Sequence, residues 1–464
     1  MYFQLYQHIK KDIIRGKLTA KTRLPSIRSL SSHLHISRNT VESAYHKLID
    51  EGYVQSKPRS GLYVIELELD KLPLPYPNKR KPLEVSKQVV ATNPKIQYDF
   101  RYGDVDNEHF PLATWRKLSN QCSQPEHVEL FSYGDSQGEH GLRVEIAKYL
   151  YDSRGVNCSA DQIIIGAGIQ YLLSLLSALM STDSNSIAME EPGYDVVRKV
   201  FRHNGFQINP IPLEKDGLNI QNLYESKSSI VYITPSHQFP YGMVMPIAKR
   251  MQLLKWAADH DGIIIEDDYD SEFRYVGKPI PSLQSLDTNN HTVYLGTFSK
   301  CLLPSLRIAY MILPPKLLEL YKKQGYRLYD QTVSWFHQKT LELFMRNGHW
   351  EAHIRKMRKV YHRKQSQLIE KIKELMGEQV TIIGQNAGLH ILLRVHNGMI
   401  EEELIRAAAD HGVKVYAVSP FWEKQSQAEA SMIQIGFGGL SSEDIVTGIQ
   451  SLYRAWFYPS NTNH

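Results

Sequence analysis

The sequence predicts an α/β protein: a small helical module with a β-ribbon, followed by a large body built on a mainly parallel sheet. Three observations predict it. First, charge is unevenly spread: residues 1–64 hold 11 Lys/Arg against 4 Asp/Glu, while the whole chain carries only +5. Second, Pro73, Pro75, Pro77 and Pro82 cluster between two regions of ordinary composition, which favours an extended spacer. Third, short apolar runs without polar alternation recur after residue 96, as expected for strands covered on both faces.

The module reads element by element. Tyr2, Leu5, Tyr6, Ile9 and Ile13 share one helical face. Leu24-Pro25-Ser26 interrupts the chain, and Ser26 suits the N-cap of a second helix through Leu34. Ser37 suits the N-cap of a third, with Val41, Ala44, Tyr45 and Leu48 facing inward and Gly52 at its end. Tyr53-Val54-Gln55 and Leu62-Tyr63-Val64 read as strands flanking the turn from Lys57 to Gly61. Three helices and a ribbon make a winged helix-turn-helix, expected over residues 1–65.

Residues 66–95 form the expected linker, and its basic cluster Asn78-Lys79-Arg80-Lys81 reads as solvated. The body follows over residues 96–464. Its strands are expected at Ile163–Ile165, Ile187–Met189, Ile230–Ile233, Ile263–Ile265 and Val293–Leu295. Loops at the C-terminal ends of such strands are where ligands bind.

Composition excludes several classes. Hydrophobic residues make up 42% and charged residues 22%, ordinary for a globular protein. No apolar run reaches a membrane span, and the polar, basic N-terminus has no secretory h-region. Cys122, Cys158 and Cys301 are too few and scattered for a disulfide framework or zinc site. A cytoplasmic protein with no membrane partner is expected.

The basic module suggests a polyanion partner. Arg38, Asn39 and Thr40 open the third helix with a cation, an amide and a hydroxyl, groups suited to base edges and phosphates. Arg28 lies on the preceding helix. Arg59 sits at the ribbon tip beside Gly61, whose missing side chain allows close approach to a sugar-phosphate backbone. Singly these are surface residues; together they point to double-stranded DNA. The stretches Leu24-Pro25-Ser26-Ile27-Arg28-Ser29-Leu30, Ser37-Arg38-Asn39-Thr40-Val41 and Glu51-Gly52-Tyr53 resemble the GntR family of bacterial regulators. The resemblance implies operator contacts from Arg28, Arg38, Thr40 and the Arg59–Gly61 wing.

The body offers the parts of a pyridoxal phosphate (PLP) site. Lys300 follows a strand and can form a Schiff base. Asp267 follows another and can face a protonated pyridine nitrogen, with Tyr269 close behind. Ile169 and Gln170 open a helix after Gly168, suiting phosphate capture by backbone N–H groups. Arg307 can clamp phosphate, and Tyr194 can stack on a ring. Residues 98–456 resemble a fold-type I, class I aminotransferase. That resemblance implies phosphate contacts from Thr297 or Ser299, and a Tyr133 lent to the neighbouring subunit.

The whole chain resembles the MocR/GabR subfamily, in which the two domains are fused. This implies a head-to-tail homodimer that binds operator DNA and senses PLP or an amino compound at Lys300. Two residues depart from the enzyme pattern. Phe239 stands where many aminotransferases place Asn, and Gln434 falls where they place a carboxylate-binding Arg. Loss of that bidentate contact weakens a carboxylate ligand. The expectation is therefore a regulator with weak or partial transamination. An active aminotransferase with an appended DNA-binding domain and an inert dimerisation scaffold are the alternatives.

Overall fold

A computed structural model describes residues 1–58, 60–66, 96–125, 128–180, 185–277, 280–324, 326 and 330–458. Arg59 and most of the expected linker lie outside the described residues. The chain divides into two compact units, Met1–Val90 and Ala91–His464.

In the first unit, helix Tyr2–Ile14 buries Tyr6, Ile9 and Ile13. Helices Ile27–Leu34 and Arg38–Asp50 each begin after a serine. Ser26 Oγ accepts the Ser29 N–H at 3.1 Å, and Ser37 Oγ accepts the Thr40 N–H at 3.2 Å. Neither helix has an acid in its first turn, so these hydroxyls satisfy N–H groups left free at the start. Val41, Ala44, Tyr45 and Leu48 are buried beneath the third helix, and Tyr45 donates to the Pro25 carbonyl at 2.9 Å. Gly52, at φ +75°, lets the chain reverse into the ribbon.

The ribbon strands are Val54–Lys57 and Gly61–Val64, antiparallel with Lys57 opposite Gly61. The first strand runs two residues past its predicted end, because the ladder continues to the start of the turn. Arg23 bridges Tyr63 from outside the ribbon, a pairing that sequence alone did not suggest.

In the second unit, eight strands form the main sheet among the described residues. The order is Ile163–Gly166, Ala309–Ile312, Thr292–Thr297, Ile263–Asp268, Ile230–Ile233, Ser186–Glu191, Gln207–Glu214 and Gly217–Leu218. Neighbours from Thr292–Thr297 to Gln207–Glu214 pair parallel; Ala309–Ile312 and Gly217–Leu218 run antiparallel to their neighbours. Ile163 and Ile165 enter one apolar cluster and Ile164 another. Both faces are therefore dry, which is why these strands lack polar alternation.

A smaller antiparallel sheet follows: Val380–Ile383, His390–Val395, Met432–Gly436 and Tyr416–Ala417. The 28-residue helix His349–Met376 precedes it. No helix among the described residues is long and apolar enough to cross a membrane.

Candidate functional site

On the first unit, Arg28, Arg38 and Asn39 are exposed, while Thr40 is half-buried. The Thr40 hydroxyl lies 2.8 Å from Ser37 Oγ, so it is tied to the helix cap. Gly61 is exposed at φ +117°, and a Cβ there would sit 3.0 Å from Arg23 Nε. The neighbour that the bare glycine admits is thus the Arg23 guanidinium. Arg23 is exposed beside the wing and was missed by sequence reading. Its partner glycine lies far along the chain, so no local pattern marks it.

On the second unit, a cavity of about 260 Å³ opens at the C-terminal rim of the main sheet. The parallel register sets Leu295 beside Asp267, so the adjacent strands Ile263–Asp268 and Thr292–Thr297 deliver Asp267 and Lys300 to one place. Strand alternation separates Asp267 from Asp268, whose carboxylate turns away to pair with Arg154 at 2.7 Å. Lys300, Asp267, Tyr269, Tyr194, Ile169, Gln170, Thr297, Ser299 and Arg307 all line the cavity. Tyr133 does not; it is 89% exposed in this chain.

Lys300 Nζ lies 3.7 Å from the Tyr102 ring centroid. Gly103, at φ +107°, gives it room, since a Cβ there would stand 3.3 Å from Nζ. Burial lowers the Lys300 pKa to about 8, with Asp270 opposing the shift. Burial raises Asp267 to about 7, opposed by the Tyr232 hydrogen bond. The Tyr232 hydroxyl donates to Asp267 Oδ2, and Oδ1 is buried without a hydrogen-bond partner. Tyr102, Gly103 and Tyr232 line the cavity as well. Sequence reading missed all three; the only signal for Tyr232 is a polar tip inside an otherwise apolar strand.

At the other end, helix Ile169–Met180 begins after Gly168, which has φ +90°. A Cβ on Gly168 would collide with the Arg307 guanidinium. Arg307 itself is held at φ +53°, a strained conformation of the kind found at ligand sites. Thr297 Oγ1 donates to Ser299 Oγ at 3.1 Å and accepts the Ser299 N–H at 3.1 Å. Helix N–H groups, a guanidinium and two hydroxyls make a phosphate cradle.

Aromatic rings form the wall. Tyr194 meets Phe239 edge-on at 5.1 Å, and Tyr102 lies 5.4 Å from the same ring. Tyr269 presents its ring to the cavity and donates its hydroxyl to the His237 carbonyl at 2.8 Å. Phe239 adds no polar atom. Gln434 is buried in strand Met432–Gly436 with Nε2 unpartnered, and does not line the cavity. Among the described lining residues, Lys300 and Arg307 are the only cations.

These residues fit PLP. The orphaned Asp267 oxygen matches a protonated ring nitrogen, the buried amine matches an aldehyde, and the cradle matches a phosphate.

Comparison with known proteins bears on both units. Residues 1–64 match the family model for bacterial regulatory proteins of the gntR family. Residues 95–452 match that for aminotransferase class I and II. The chain is 46% identical over 460 residues to the uncharacterised HTH-type transcriptional regulator YdeL of Bacillus subtilis, covering 98% of this chain and 96% of the relative. It is 32% identical over 468 residues to the probable rhizopine catabolism regulatory protein MocR of Rhizobium meliloti, covering 98% and 94%. The body is similar in fold to a multiple-substrate aminotransferase from Thermococcus profundus, with TM-score 0.71 and 24% identity over 79% of this chain and 92% of that one.

Proposed function

The chain belongs to the MocR-type HTH transcriptional regulators, a GntR domain fused to a class I aminotransferase domain, and on that premise we propose that the body is a PLP sensor that controls the DNA-binding state. PLP is the cofactor of this fold, and the N-terminal domain binds DNA. The observation that carries the sensing proposal is Asp267 Oδ1, buried and unpartnered one strand from the Lys300 amine.

When bound, PLP supplies an aldehyde that amines attack and a ring that withdraws electrons. The chain's own residues do the rest. Lys300, with its pKa lowered by burial to about 8, releases its proton far more readily than an exposed lysine, and its neutral form is the nucleophile. Asp267 Oδ1 would accept a ring N–H, while Tyr232 fixes the other carboxylate oxygen. A cationic donor at Oδ1 offsets the burial that raises the carboxyl. The N–H groups of Ile169 and Gln170, the Arg307 guanidinium and the Thr297–Ser299 hydroxyls would hold the phosphate. Tyr194 and Phe239 exclude water from the ring.

An amine effector that competes with Lys300 at this site would shift the protein between DNA-binding states, provided it binds the two states unequally. Among the described residues, the lining offers a carboxylate no cation beyond Lys300 and Arg307, which favours amine effectors without an essential carboxylate. Exposed Tyr133 supports a head-to-tail dimer in which it completes the partner's phosphate cradle. Arg38 and Asn39, with Thr40 at the helix cap, face operator bases and phosphates from the recognition helix, and Arg28 on the preceding helix reaches a phosphate. Residues 66–95 link the two domains. A transcription regulator of this kind acts in the cytoplasm.

Titration of the purified protein with PLP tests the proposal. Visible absorbance retained after removal of free PLP should rise to saturation in the wild type and be absent in Lys300→Ala. Capture should quicken as pH rises through about 8, because only the neutral amine attacks. Equal absorbance in Lys300→Ala would contradict the assignment.

A further inference from the structure

Helix His349–Met376 presents two different faces to solvent along its length. Its inner side buries Trp350, Ile354, Met357, Val360, Tyr361 and Leu368, among others. Over the first half the outer side is a row of cations: Arg355, Lys356, Arg358, Lys359 and Arg363 are all exposed. None forms an ion pair among the described residues; Lys356 and Arg358 donate only to the backbone carbonyls of His109 and Glu272. Lys364, which points inward, is neutralised by Asp106 at 2.7 Å. From 349 to 369 the one acid is Glu351. The second half is mixed, with Glu370, Lys371, Lys373 and Glu374, and Lys371 pairs with Glu374 at 2.8 Å.

Arg355, Lys359 and Arg363 stand at i, i+4 and i+8, one above another. Like charges at this spacing destabilise a helix, so helix stability does not explain the row. A body whose charges sum to slightly negative does not explain it either. The row spans about 12 Å and lies level with three to four phosphates of one DNA strand, at roughly 3.4 Å of axis each.

We propose that this face is a second, sequence-independent contact for duplex DNA. The recognition helix reads bases, while the body grips phosphates. The roughly 30 residues between the domains can span at most about 100 Å of covalent chain. The inference rests on DNA binding by the family and is independent of PLP sensing.

The test uses the full-length protein and a mixed-sequence duplex of about 40 base pairs, with affinity measured by fluorescence anisotropy across salt concentrations. The variant R355Q/K359Q/R363Q removes three exposed charges and no packing, and a thermal melt checks its fold. The slope of log affinity against log salt should become shallower by about 2 to 3, near 0.9 per lost contact. Affinity at low salt should fall at least tenfold. K371Q/K373Q, on the same helix, should leave the slope unchanged. An unchanged slope in the triple variant overturns the proposal. So does loss of binding to phosphatidylserine vesicles with the DNA slope intact, which would assign the face to a membrane surface instead.

Discussion

In the first unit Arg28, Arg38 and Asn39 stand in solvent above a core of Val41, Ala44, Tyr45 and Leu48, whereas in the body buried Asp267 ends one strand and half-buried Lys300 follows another, among aromatic rings. The difference follows from the ligands. A duplex is larger than the module and must be met on an outer surface, with flexible cations facing phosphates. A small cofactor can be enclosed, and enclosure changes the chemistry of the groups around it. Burial moves Lys300 down to about 8 and Asp267 up to about 7, towards each other. The exposed face is built for contact, the enclosed site for reactivity.

That contrast can be broken by substitutions with separable readouts. The larger effect is expected in the body. Asp267→Asn replaces the ion at the orphaned oxygen with a neutral amide. A hydrogen bond to a charged group contributes about 1.5–3 kcal/mol, so PLP affinity should fall roughly ten- to a hundredfold in an absorbance titration. Duplex binding without PLP should not change. A loss of both would mean that the carboxylate supports the fold rather than the cofactor.

The smaller effect belongs to the module. Arg38→Ala removes an exposed side chain, so the melting temperature should hold. Binding to the preferred operator should weaken by about 1–3 kcal/mol, measured by anisotropy or gel shift. PLP absorbance should stay as in the wild type. Unchanged operator affinity would displace the recognition face from the start of this helix.

Much of this contrast was legible in the sequence, for local reasons. Ser26 and Ser37 announce helix starts because a cap acts within three residues. Asp267 and Lys300 stand out because each follows a short apolar run. What was not legible depends on pairing across the chain. Arg23 meets Gly61, Tyr102 lies over Lys300, and Tyr232 bonds Asp267; each contact joins elements that only the fold brings together. The antiparallel strand Ala309–Ile312 inside the parallel sheet was hidden for the same reason. The basic face of His349–Met376 was masked differently. A net charge summed over the body cancels cations gathered on one helix against acids spread elsewhere.

The enclosed site is proposed to control the exposed one. The direct measurement is affinity for the preferred operator, with and without saturating PLP, in the wild type and in Lys300→Ala. PLP should change the wild-type affinity about fivefold or more, the lower range of allosteric coupling. Adding an amine that displaces Lys300 should change it again, and Lys300→Ala should respond to neither. If PLP occupies the wild-type site and operator affinity stays the same, the body does not sense for the module.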